Sequence, residues 1–274
     1  MHLRCGAFKL DLSTPQVMGI LNVTPDSFSD GGQYTHNESA VAHALQLIED
    51  GAAVLDIGGE STRPNATPVP LQQELQRVIP VIEALVARNI AVPISIDTYK
   101  PAVMRAAIEA GASIVNDVRA LQEAGAMDVV AASNAGVCLM HMQGTPQTMQ
   151  DDPQYDDVLL EVKDFLRARR DVCLAAGISA DRILLDPGFG FGKTRAHNIA
   201  LARSLSELLD LDCPLLVGLS RKSVLGQVTG NDVAARLYAS VAAAVVSAMQ
   251  GAHLLRVHDV KATVEALKVV TALK

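Results

Sequence analysis

PISIDTYKPAVMRAAIEAGASIVNDV, from Pro93 to Val118, holds one complete unit of the fold. It opens on a short β-branched run, PISID, and closes on another, SIVNDV from Ser113. A helical stretch lies between them, and Gly111 ends it just before the second run. Neither run alternates apolar and polar residues cleanly, so each reads as a strand buried on both faces. Parallel strands covered by helices have that character.

The unit recurs. VMGIL from Val17, AVLDIG from Ala53, GVCLMH from Gly136, RILLDP from Arg182, PLLVGLS from Pro214 and HLLRVHDV from His253 bring the runs to eight. Their ends, at Leu21, Gly58, Asp97, Val118, His141, Pro187, Ser220 and Val260, lie 21 to 46 residues apart, which leaves room for a crossover helix each time. Helices are predicted over Ser39 to Asp50 and Leu71 to Arg88, the second entered through Pro70. Eight strand–helix units predict an α/β fold, a (β/α)₈ TIM barrel filling residues 1–274 as one domain. The rival, an open doubly wound sheet, usually carries GxGxxG in its first turn; here that turn is NVTPDSFSDGG, Asn22 to Gly32.

Bulk properties narrow the function. With 274 residues, 49% hydrophobic and 19% charged, the chain reads as globular rather than disordered. A formal net charge of -7 excludes a broad basic surface for nucleic acid. Cys5, Cys138, Cys173 and Cys213 form no CxxC pair and read as buried thiols in a reducing compartment. The start lacks a signal-peptide core, and the longest apolar run is too short to span a bilayer, so the expected location is the cytoplasm.

A barrel builds its site from the C-terminal strand ends and the loops after them. Asn22, Thr62, Arg63, Asp97, Asn116, His141, Asp186, Lys222, Arg256 and His258 fall there. Any one of them could simply cap a loop; the whole set at one rim points to a site. Asp97, Asn116, Asp186 and Lys222 together suit a flat heteroaromatic ring rich in amino and carbonyl groups. Arg256 can stack on such a ring or pair with nearby Asp259. GLSRKS, Gly218 to Ser223, opens a helix where backbone N–H groups, Lys222 and Ser223 could bind an anion or Ser223 could cap. DPGFGFGKT, Asp186 to Thr194, fails the phosphate-loop pattern because Pro187 stands where glycine is required. It reads instead as a flexible loop exposing Phe189 and Phe191, for ring contact or for packing. No zinc-type ligand cluster is visible; a hard cation held mostly by substrate phosphates would leave only a faint trace.

These residues resemble the dihydropteroate synthase family. MGILNVTPDSFSDGG (Met18 to Gly32) and DIGGESTRP (Asp56 to Pro64) look like its two signature stretches. SIDT, NDV, MHMQG, LLDPGFGFGK, LVGLSRKS and RVHDV follow in the family's order, in its bacterial single-function form. The resemblance implies condensation of a dihydropterin diphosphate with p-aminobenzoate. It places Asp186, Asn116, Asp97 and Lys222 on the pterin, and Arg256, Asn22, Thr62, Arg63 and His258 on the diphosphate. Asn22 would be the protein contact for Mg²⁺, while Phe28, Pro64, Phe191, Lys222 and Ser223 would frame p-aminobenzoate. Asp97, Lys222, Asp30 and Arg63 would carry the chemistry. A homodimer and sulfonamide sensitivity are further implications, and Asn65 replaces a glycine common in relatives. The alternatives are a corrinoid-linked methyltransferase using methyltetrahydrofolate and an inactive pterin-binding subunit.

Overall fold

All eight runs form strands in a computed structural model of the chain, which describes residues 1–24, 33–61 and 66–273, with only the backbone of 33–36. The strands are β3 (Gln16–Asn22), β4 (Val54–Gly58), β5 (Ile94–Asp97), β6 (Ile114–Asp117), β7 (Gly136–Met140), β8 (Ile183–Asp186), β9 (Leu216–Val217) and β10 (Leu254–Val257). Each pairs in parallel with its sequence neighbour, β10 returns to β3, and a Leu185–Leu215 bridge joins β8 to the β9 segment. The sheet is therefore a closed (β/α)₈ barrel. Its helices are α1 (Gln33–Glu49), α2 (Leu71–Val86), α3 (Pro101–Ala110), α4 (Ala126–Ala131), α5 (Val158–Ala175), α6 (Arg195–Arg203), α7 (Ser223–Thr229), α8 (Leu237–Met249) and, after the last strand, α9 (Val260–Leu273).

Several boundaries differ from the sequence reading, β9 being cut to Leu216–Val217 and α2 ending at Val86. The last strand stops at Val257, because Val260 begins α9. The helix expected from Ser39 begins at Gln33. Residues 1–15, given no structure from sequence, contribute an antiparallel hairpin of β1 (His2–Cys5) and β2 (Phe8–Asp11), turning at Gly6 with φ +57°.

Alternation along each strand divides the interior. Leu21, Ile57, Ile96, Val115, Leu139, Leu185 and Leu255 pack in the large core that includes helix residues such as Val78, Met104, Leu166 and Leu201. The opposite face begins with a second apolar cluster of Met18, Val54, Ile114, Cys138, Leu184, Leu216 and Leu254. Leu3, Cys5 and Leu12 of the hairpin region join it, so the hairpin closes the N-terminal mouth. All four cysteines are buried and free, as expected.

Candidate active site

Two residues beyond that apolar layer, the inward face turns polar. Val54 is followed at this spacing by Asp56, Ile114 by Asn116, Leu184 by Asp186 and Leu254 by Arg256. Strand pairing sets Asp97 opposite Asn116 and Gly58, and Asp186 opposite Met140. Residues scattered over the chain thus share one level near the C-terminal rim.

Asp56 is the hub, and the sequence reading assigned it no role. Its Oδ2 accepts from Arg256 Nε at 2.6 Å and from Asn116 Nδ2 at 3.1 Å. Arg256 Nη2 donates to Asp97 Oδ2 at 2.7 Å. Arg256 therefore pairs with Asp56 and Asp97, while Asp259 pairs with Arg221. Asp56 Oδ1, Asp97 Oδ1 and Ser95 Oγ are buried with no hydrogen-bond partner among the described residues. The apolar-x-polar spacing shared with Asp186 and Arg256 could have revealed Asp56.

Burial raises the Asp97 pKa, Asp56 adds to the rise and Arg256 opposes it. Burial also works against the Arg256 charge, but Asp56 and Asp97 outweigh it and hold that pKa above its ordinary value. The Asp186 carboxyl is raised by burial, opposed by Lys222 and by the Gly188 N–H, which donates to it at 2.7 Å. Lys222 is drawn down to about 8 by burial, with Asp186 pulling the other way.

Lys222 donates to the Phe189 carbonyl, and its Nζ stands 4.6 Å from the Phe191 ring centre. It occupies the N-cap position of α7, where no side chain caps the helix. Ser223 is thus the first helical residue, and its capping alternative is not adopted. Phe189 corrects the expectation of an exposed pair: it is fully buried in the main core, whereas Phe191 is partly buried. The loop carrying them is also tied down, with Gly190 N donating to Asn198 Oδ1 at 2.7 Å and Phe191 N to Gly188 O at 3.1 Å. His258 meets Ser220 twice, through its ring Nδ1 at 3.0 Å and its backbone N–H at 3.1 Å. His141 borders the site from behind, its Nδ1 2.9 Å from Lys193 Nζ, and Asn22 ends β3 beside Gly58. Phe28, Asp30, Thr62, Arg63, Pro64 and Asn65 lie outside the described residues.

A second group missed in the sequence flanks the loop after β4. Lys100 contacts both Glu60 and Glu74 and donates to Val69 O at 2.8 Å; Val69 N returns to Glu60 at 3.1 Å. Thr98 holds the other Glu74 oxygen at 2.7 Å. These contacts fix both stems of that loop.

Fold and site define a barrel enzyme with a carboxylate-and-guanidinium floor, and with Lys222 at the start of α7, at one rim. A family model described as pterin binding enzyme matches residues 18–258. The dihydropteroate synthase of Escherichia coli K12 is 53% identical over 272 residues, 99% of this chain and 96% of its own. The Xanthomonas albilineans enzyme with 4-aminobenzoic acid superposes with a TM-score of 0.94 at 55% identity, covering 99% of this chain and 97% of that one. The Burkholderia cenocepacia enzyme complexed with 7,8-dihydropteroate gives 0.90 at 50% identity, covering 99% and 96%. The chain belongs to the dihydropteroate synthase family, a group of pterinylmethyl transferases.

Proposed function

We propose that the chain joins (7,8-dihydropterin-6-yl)methyl diphosphate to p-aminobenzoate by dissociative substitution, giving 7,8-dihydropteroate and pyrophosphate. The carrying observation is that Asp56, Asp97, Asn116 and Arg256, from four strands, form one hydrogen-bonded set at the rim. Asp186 would take the ring's amino and N–H groups, since a carboxylate accepts two parallel bonds. Asn116, Asp97 and Lys222 would meet the other polar edges, with Arg256 against the ring. Arg256, Asn22, Thr62, Arg63 and His258 would hold the diphosphate.

The bond from the pterin methylene carbon to oxygen breaks first, and the diphosphate leaves with the electron pair. Cations around it have already neutralised the developing charge. Asp97 and Asp30 favour the cation left on the ring. Phe28, Pro64, Phe191, Lys222 and Ser223 position the aryl amine, whose nitrogen forms the new C–N bond and releases a proton to solvent. Positioning is a large part of such catalysis.

Mg²⁺ fits this donor set in one way. Asn22 offers a neutral oxygen, and among the described residues no group of three or more His, Cys, Asp or Glu could hold a metal. A hard cation here would take most of its ligands from the diphosphate. When bound, it would supply charge neutralisation on the leaving group. A homodimer is supported by apolar side chains exposed on α8 and α9, namely Tyr238, Val246, Met249 and Val269. A cytoplasmic location is supported by the four free thiols; among the described residues no helix is long and apolar enough to cross a membrane.

The test is pyrophosphate release from the pterin diphosphate and Mg²⁺, with and without p-aminobenzoate. Release that ignores p-aminobenzoate overturns the condensation, and no release with both substrates present returns the methyltransferase or binding-subunit reading. Positional isotope exchange within the diphosphate, in the absence of p-aminobenzoate, tests early departure; no exchange despite slow release refutes it.

A further inference from the structure

Lys193 is a lysine only 2% exposed, yet among the described residues none of its hydrogen-bond partners is a carboxylate. Its three donors go to His141 Nδ1 at 2.9 Å, Gly188 O at 2.9 Å and Phe191 O at 3.1 Å. A buried ammonium is costly, and full use of its donors on neutral acceptors implies a positional task.

The turn it holds has an unusual construction. Gly188, Gly190 and Gly192 alternate through positive φ (+68°, +81° and +62°), so the turn forms no regular ladder. Instead, five successive carbonyls each accept from a side chain. Lys193 serves Gly188 and Phe191, Lys222 serves Phe189, Gln150 serves Gly190 at 2.6 Å and Tyr155 serves Gly192 at 2.8 Å. The turn is also pressed against its neighbour, since a Cβ on Gly188 would lie 1.8 Å from His141 O and one on Gly192 2.3 Å from Gln143 O. One lysine thus grips the carbonyls on either side of the one that seats Lys222.

We infer that Lys193 is a positioning residue for the aryl-amine half of the reaction, setting the height at which the turn presents the Phe189 carbonyl to Lys222 and the Phe191 ring to p-aminobenzoate. The inference rests on the proposed p-aminobenzoate corner. Burial draws the Lys193 pKa down to about 7, with Asp186 opposing, and His141 down to about 3, by burial and then by Lys193. The histidine is therefore an acceptor, not a competing cation. The pterin's other proposed partners, Asp97, Asn116 and Arg256, sit on β5, β6 and β10 and are held in the hydrogen-bonded floor around Asp56. Asp186 and Lys222 are shared with the pterin and touch the turn, so loosening it acts on p-aminobenzoate more than on the pterin, which keeps its partners on the other strands.

Lys193→Met keeps the side chain's bulk and removes the donors. The expected result is a KM for p-aminobenzoate raised by about tenfold, with affinity for the pterin diphosphate, measured calorimetrically without p-aminobenzoate, within about twofold of wild type. Tyr155→Phe, nearly isosteric and uncharged, removes the donor to Gly192 O and should raise the same KM by about threefold. It decides the matter if Lys193→Met does not fold. Unchanged KM in the folded variants, or pterin affinity falling in parallel with it, overturns the inference. A wild-type protein whose pyrophosphate release ignores p-aminobenzoate would instead sink the underlying functional reading.

Discussion

Replacing Arg256 by leucine tests the centre of the site through stability rather than turnover. Arg256 is the cation hydrogen-bonded to Asp56 and Asp97, whose side chains are 0% and 9% exposed. Removing one partner from so buried a set costs about 3–5 kcal/mol, because the remaining charges stay uncompensated. The loss must also depend on pH. Burial and Asp56 already raise the Asp97 carboxyl, and Arg256 is the group that opposes them. Without it, Asp97 keeps a proton near neutrality that the unfolded chain has released. Stability linked to that proton is complete below the ordinary value of 3.8 and is lost as pH rises through the raised folded value. Urea unfolding of Arg256→Leu at pH 5, 6, 7 and 8 should therefore show the largest deficit from wild type at pH 8. The deficit should shrink on acidification by up to about 1.4 kcal/mol per unit. Adding Asp97→Asn should recover part of it at pH 8. As a contrast, Arg4 and Asp181 are about half exposed, and Arg4→Leu should cost no more than about 1 kcal/mol. A deficit below that level, or one that does not vary with pH, refutes the buried-pair reasoning.

Lys222→Ala should lower kcat by at least about a hundredfold while the urea midpoint stays close to wild type; normal turnover would remove Lys222 from the corner shared by both substrates. With Lys222 drawn down to about 8, its charge is present below that pH and lost above it. kcat/KM should fall beyond it by about tenfold per unit, and Lys222→Arg should push that limb above about pH 10. A limb that stays at the same pH in the arginine variant would assign it to another group. Gly188→Ala forces a Cβ to within 1.8 Å of His141 O at φ +68°, so a loss exceeding about 3 kcal/mol is expected in thermal unfolding. A melting temperature near wild type would contradict the close packing of the turn.

The barrel was legible because its strands are short β-branched runs separated by room for a helix, a pattern that survives without tertiary information. β9 shows the margin: PLLVGLS reads as a strand, yet only Leu216–Val217 is regular, since GLSRKS must turn to place Lys222. The rim residues were legible because they are polar at the ends of apolar runs. Asp56 was harder to see, as it lies within its strand rather than at the end, and its importance comes from Arg256, 200 residues away. Phe189 misled for the opposite reason: glycine neighbours suggest exposure, but the positive-φ glycines fold the turn tightly enough to bury it. The β1–β2 hairpin was missed because its burial depends on a barrel mouth no local pattern describes.

The layering explains how such a charged centre is tolerated. The hairpin and the apolar layer seal the barrel from below, so the polar level above them lies in a medium where each unmet group is expensive. Asp56, Asp97 and Asp186 bring three carboxyl groups to the level of Arg256 and Lys222, and burial disfavours the ionised form of Asp97 and Asp186. Asp56 and Asp97 also each keep a buried oxygen without a partner among the described residues. Left unmet, such an acceptor costs about 1–3 kcal/mol. A ligand that donates N–H groups recovers that cost, and one that turns cationic favours the ionised form of these buried carboxyls. On the proposed reading, a dihydropterin ring losing its diphosphate would do both at once, so the arrangement that costs the fold stability is the one that would favour the transition state.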